Sequence, residues 1–197
     1  MLKIGFMASR NGSSMRAIVQ AIEAGALEAK AQLVVSNRRD SPALAFAAEH
    51  AVPTEVIPTL PDPEAADARL CEAMSAAGAD LIVLSGYLRK LGPKTLDRYR
   101  GRVLNIHPAL LPKFGGEGMY GRKVHEAVAA AGETVTGATV HVVDDEYDQG
   151  PIVAALEIAV PSNASAEEIE RLVTAAEPAF FVEVLRRISS GDVKLGS

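Results

Sequence analysis

A single cysteine, Cys71, stands in the whole sequence, so no disulfide can close within the chain and no Cys-x-x-Cys metal site can form. A reducing compartment, the cytoplasm, suits such a chain. Long apolar runs are missing as well. No stretch reaches the roughly 18 residues of a membrane span, and the apolar part of the opening MLKIGFMA is too short for a signal peptide and reads as a first strand. Basic residues are outnumbered, 20 Lys and Arg against 25 Asp and Glu, which leaves a net charge of -5. Nucleic acid and anionic membranes call for a dense basic face, so neither is an expected partner. The G-x-G-x-x-G fingerprint, the G-K-[ST] ending of a phosphate-binding P-loop and the H-E-x-x-H zinc motif are all absent. No repeat, low-complexity tract or linker divides the chain, and 197 residues with 48% apolar content suit one domain over 1–197 with its own core.

What is present is alternation. Short apolar runs at 3–8, 31–36, 54–57, 80–85 and 103–107 are separated by amphipathic stretches at 15–24, 42–50 and 63–78 and a short one from Pro93. Helix starts are marked by Asp40 and Ser41 before Pro42 and by Asp62 before Pro63. Strand and helix in turn predict a doubly wound α/β layer with a mostly parallel sheet over the first 107 residues. Beyond it come a glycine-rich loop, FGGEGMYG, a helix over 122–131 and two strands, 137–143 and 152–160, expected to pair antiparallel. Ser165 and Glu168 form a capping box for a long last helix.

The run VLNIHPALLP organises the rest. Alternate strand residues share a face, so Asn105 and His107 project together, and Pro108 and Pro112 end the strand just beyond them. Ligands of open parallel sheets bind at that carboxyl rim. A carboxamide beside an imidazole can grip an acyl oxygen as it gains charge, and the imidazole can move protons. The plainer alternative is a turn-forming Asn105 and a hydrogen-bonded rim histidine. After the first strand, Ser9-Arg10-Asn11-Gly12-Ser13-Ser14 offers backbone N–H groups and hydroxyls at a helix start, a phosphate cradle or simply a cap. An acidic loop holds Asp144, Asp145, Glu146 and Asp148, with His141 on the strand leading into it. His107, His141 and Asp148 lack any paired-histidine spacing, so no metal is expected. His50 and His125 fall in helical patterns and read as surface or packing residues.

The motif NIHPALLP, followed about 40 residues later by the histidine-bearing strand and D-x-G-P, resembles the formyltransferases that use 10-formyltetrahydrofolate. Length, the start KIGFMASRNGSS and the helix around Glu177 resemble the branch that acts on glycinamide ribonucleotide in purine biosynthesis. This resemblance implies a Rossmann-like fold, with a nucleotide-binding half over 1–107 and a folate and catalytic half over 108–197. It implies Asn105, His107 and Asp148 as catalytic residues, with His141 near the site. Gly12, Ser13 and Ser14 would take the substrate phosphate and Glu177 its ribose, and Leu88, Arg89, Leu91 and Val143 would line the folate pocket. Both substrates are small molecules, the folate serving as co-substrate without a metal. The implied chemistry is attack of the amine on the formyl carbon. Asn105 and a His107 kept protonated by Asp148 stabilise the oxyanion, and Asp148 relays the amine proton. The chain departs from the family pattern at Arg10, Ser14 and Pro178, and carries a longer loop over 114–126. Formyltetrahydrofolate hydrolases would use water at the same trio but carry an added N-terminal domain, and tRNA-acting relatives a C-terminal domain and a basic face. A non-catalytic nucleotide-binding paralogue is the reading from another class, and the intact trio speaks against it.

Overall fold

The computed structural model describes residues 1–195. Seven strands form one sheet in the order β3-β2-β1-β4-β5-β6-β7. Strands β1 (Leu2–Met7), β2 (Ala29–Ser36), β3 (Thr54–Val56), β4 (Leu81–Leu84) and β5 (Val103–His107) run parallel, while β6 (Val135–Val142) and β7 (Ile152–Ala159) add antiparallel to one edge. Helices α1 (Ser13–Glu23), α2 (Pro42–Glu49), α3 (Pro63–Ala76), α4 (Pro93–Arg98), α5 (Arg122–Ala130) and α6 (Ala166–Ser189) provide the covering layers. This is the doubly wound arrangement that the alternating pattern predicts.

Parallel strands buried on both faces must be apolar throughout, and β4 reads Leu-Ile-Val-Leu. Its alternate side chains go opposite ways. Leu81 and Val83 join Ile4, Phe6 and Val34 in a core with Met15 and Ile18 of α1, Phe46 of α2 and Phe181 of α6. Ile82 and Leu84 join Met7 and Val35 in the other core, under Leu70 and Met74 of α3 and Leu96 of α4. A third, smaller cluster of Val128, Ile169 and Val173 locks α5 to α6.

Helix ends follow the sequence signals, with one change. Asp62 accepts from the Ala65 N–H, and Ser165 from the Glu168 N–H. Ser41 instead donates its hydroxyl to the Arg10 carbonyl at 2.7 Å, which ties α2 to the loop after β1. Asp67, buried in α3, caps a neighbouring helix, accepting from the Lys94 and Thr95 N–H groups at the start of α4. Among the described residues no helix is long and apolar enough to cross a membrane.

Candidate active site

Antiparallel pairing of β5 with β6 sets Asn105 directly opposite His141, and His107 opposite Thr139. Such cross-strand neighbours carry their side chains on one face, so the histidine that the sequence places 36 positions away arrives beside the carboxamide. Asn105 Nδ2 lies 3.1 Å from His141 Nε2, and His141 Nδ1 lies 3.1 Å from the Val142 carbonyl. A carbonyl only accepts, so His141 donates from Nδ1 and its Nε2 receives one of the two amide hydrogens of Asn105. The other amide hydrogen is left for a ligand.

The loop after β6 brings Asp148 to both histidines. Its Oδ2 is 3.4 Å from His107 Nδ1 and its Oδ1 is 3.4 Å from His141 Nε2, and Oδ2 accepts the Gly116 N–H at 3.0 Å. His107 Nε2 meets the Phe114 carbonyl at 2.7 Å. Burial alone would raise the Asp148 carboxyl, but its neighbours His141 and His107 and the Gly116 N–H outweigh it and hold the group below its usual value. His107, only 3% exposed, moves the other way. Burial pushes its pKa down, and the attraction of Asp148 does not make up the difference. Burial thus works against the expected protonated His107, and the Asp148 carboxylate 3.4 Å from Nδ1 works for it.

The β1–α1 loop lies on the same rim. Gly12, the N-cap of α1, has φ +65 with Met15 and Ala43 within 3.2 Å of a hypothetical Cβ, so the turn favours glycine and a side chain there would be tight. Ser14 is buried and Ser13 exposed. Among the described residues the N–H groups from Asn11 to Ser14 find no partner, as at an anion-binding helix start. Arg10 is exposed beside them.

The segment after β4 makes the opposite wall. Leu88 (49% exposed) and Arg89 face outward, and Tyr147 of the acidic loop is similarly open, its ring 5.6 Å from Lys90 Nζ. Leu91 is buried in the same core that Val143 packs against. Glu177, on the inner face of α6, is half-buried with no charged or hydrogen-bonding partner among the described residues, and burial pushes its pKa up to about 7.

A family model described as formyl transferase matches residues 2–185. The chain belongs to the formyl transferase family. It is 34% identical over 195 residues to a chloroplastic phosphoribosylglycinamide formyltransferase of Arabidopsis thaliana, covering 98% of this chain and 67% of that protein. A phosphoribosylglycinamide formyltransferase structure from Coxiella burnetii superposes with a TM-score of 0.89 at 34% identity, covering 99% of this chain and 90% of the other. A formyltetrahydrofolate deformylase from Pseudomonas syringae gives 0.88 at 26% identity, covering 100% of this chain but 64% of that one.

Two backbone groups of this formyltransferase escape a reading of its motifs. The Phe114 carbonyl and the Gly116 N–H act through the backbone, which side-chain patterns do not reveal. Ser9 is buried and bridges the two walls, donating to Asn37 at 2.7 Å and accepting the Leu88 N–H at 2.9 Å. His125 is the packing residue of the two alternatives, 2% exposed, with its Nδ1 unpartnered among the described residues.

Proposed function

We propose that the chain transfers the formyl group of 10-formyltetrahydrofolate to the primary amine of glycinamide ribonucleotide, a step of purine biosynthesis. The observation that carries this reading is the convergence of Asn105, His107, His141 and Asp148 on one rim that also holds the unengaged N–H groups of the β1–α1 loop. The folate would supply an already activated acyl donor, so positioning and charge handling suffice and no covalent nucleophile is needed. The open apolar side chains of Leu88 and Tyr147, backed by Leu91 and Val143, suit its flat ring. The α1 start would hold the phosphate and Glu177 the sugar.

The chain's own groups divide the proton work. Asn105 donates its free amide hydrogen to the formyl oxygen as that oxygen gains charge. When the amine nitrogen bonds to the formyl carbon it must shed a proton, and His107 Nδ1 with Asp148 forms the base that takes it, directly or through one water. The charged imidazole then exists only after the attack, balanced by a carboxylate that is already ionised. From there the proton can pass to the departing folate nitrogen, which closes the balance.

Hydrolysis is the second reading, favoured by the match of this chain to 64% of the Pseudomonas deformylase. Turnover assays with 10-formyltetrahydrofolate, with and without glycinamide ribonucleotide, separate the two. Formylated product appearing only with the amine is the expected result. Folate deformylation at the same rate without it would replace transfer by hydrolysis.

Glu177 gives a pH-dependent test. Its pKa rises from 4.5 to about 7 on folding, so the folded state favours the neutral form. Stability is therefore full below 4.5 and is lost as pH rises through 7, by on the order of 3 kcal/mol at most. Glu177→Gln, uncharged and nearly the same shape, is expected to match wild type in urea unfolding at pH 4.5 and to exceed it at pH 8. It should also raise KM for the nucleotide, because an amide grips sugar hydroxyls less well than a carboxylate does. Equal unfolding midpoints at pH 8 would show that the carboxylate is not desolvated.

A further inference from the structure

We infer that Ser9 and Ser85 are positioning residues that tie the β1–α1 loop to the segment after β4, so that filling either substrate site favours filling the other; this rests on the reading of those two segments as the phosphate cradle and the folate wall. The two segments meet at two buried hydroxyls. Ser9, 2% exposed, donates its hydrogen to Asn37 Oδ1 at 2.7 Å and accepts the Leu88 N–H at 2.9 Å, while its own N–H reaches the Gly86 carbonyl at 3.3 Å. Ser85, also 2% exposed, accepts the Met15 N–H at 3.0 Å.

The contacts with Leu88, Gly86 and Met15 cross from one wall to the other. Gly12, as N-cap, has no side chain to offer α1, so the N–H of the third helical residue is satisfied instead from the end of β4. Ser9 has a single hydrogen, and Asn37 takes it, which leaves the lone pairs for the Leu88 N–H. Gly86 takes φ +68 in the turn that returns the chain to Ser9. The loop is also held from behind, where the Arg10 carbonyl accepts from the Ser41 hydroxyl at 2.7 Å and the Ala43 N–H at 3.2 Å. A shift of one wall alone would therefore leave buried polar groups without partners. By contrast, the side chain of Leu88 is 49% exposed and the N–H groups from Asn11 to Ser14 have no partner among the described residues, so these gain contacts only when a ligand arrives. A phosphate on the loop steadies Ser9 and Met15, and through the two hydroxyls it steadies the wall as well. What the first ligand has ordered, the second need not order again, and the resulting gain is reciprocal.

Isothermal titration calorimetry with tetrahydrofolate, which carries no formyl group to transfer, measures this coupling without turnover. Saturating glycinamide ribonucleotide is expected to tighten tetrahydrofolate about fivefold or more in wild type. In Ser9→Ala and in Ser85→Ala the factor should fall close to one. A serine that only supports the fold would lower stability and weaken both ligands while leaving the factor as it was. Amide hydrogen exchange gives a second reading: the nucleotide alone should slow exchange at Leu88 about 10-fold in wild type and leave it unchanged in Ser9→Ala. If Ser9→Ala does not fold, Ser85→Ala and the milder Asn37→Ala, which only releases the Ser9 hydrogen, carry the same test. Coupling kept at the wild-type factor in a folded variant of either serine overturns the inference, as does a wild type that binds the two ligands independently. A wild type that does not bind glycinamide ribonucleotide, or transfers no formyl group to it, overturns the proposed reaction instead, so the two failures are distinguishable.

Discussion

Asp148→Asn is expected to lower kcat by about 10²-fold or more while leaving folate affinity nearly unchanged. The backbone makes this substitution unusually clean. Asp148 has φ +57, and asparagine is among the few residues with a side chain that accept the left-handed region, so the turn should survive. An amide oxygen can still accept the Gly116 N–H, now 3.0 Å from Oδ2. What disappears is the negative charge 3.4 Å from His107 Nδ1. His107 is already pushed toward neutrality by burial, and the carboxylate is the main influence that favours its charged form. Without it, taking up the amine proton creates an uncompensated buried cation, a cost paid in the transition state and hardly at all in substrate binding. A residue that merely forms the turn would tolerate asparagine without loss. Steady-state kinetics on this variant, with circular dichroism to confirm folding, decide between the two. Wild-type kcat in a normally folded protein would sink the proposed base.

The layout of the site is legible in the sequence where side-chain periodicity governs, and hidden where the backbone or burial does. Asn105 and His107 are readable because a two-residue period on a strand ending at proline places them together at a sheet rim. Asp148 and His141 are readable only through the resemblance, since the β5–β6 pairing that brings His141 opposite Asn105 is a long-range contact with no local signal. The charge state of His107 is a different matter. It depends on how completely the imidazole is enclosed, and a motif that names its partners cannot say how much water it has lost. Phe114 is hidden for a related reason: its ring reads as an ordinary loop apolar residue, while its contact with His107 runs through a backbone carbonyl at a positive φ. Leu88 and Leu91 look alike in GYLRKLGP, yet one is open to solvent and the other lies in the core, as the turn after β4 dictates.

Asn105→Ala is expected to cost about 10²–10³-fold in kcat, equivalent to about 2.7–4 kcal/mol, the range for removing one preorganised donor to a developing oxyanion. The carboxamide is suited to that work because its orientation is fixed before any substrate arrives. One amide hydrogen is engaged by His141 Nε2 at 3.1 Å, and His141 is in turn fixed by its contact with the Val142 carbonyl at 3.1 Å. The free hydrogen is therefore held in one direction by a rigid strand pair. A donor that need not reorganise contributes most when charge develops, so the loss belongs in kcat and leaves KM for either substrate within a few-fold. A competing account gives Asn105 only a structural part, as the partner of His141. On that account deletion costs about 1 kcal/mol of stability and leaves the chemical step alone. His141→Ala separates the two. It frees the carboxamide but keeps its donor, so the resulting loss in kcat should be smaller than in Asn105→Ala. If His141→Ala reproduces the full loss, Asn105 acts through His141 and the oxyanion role must be given up.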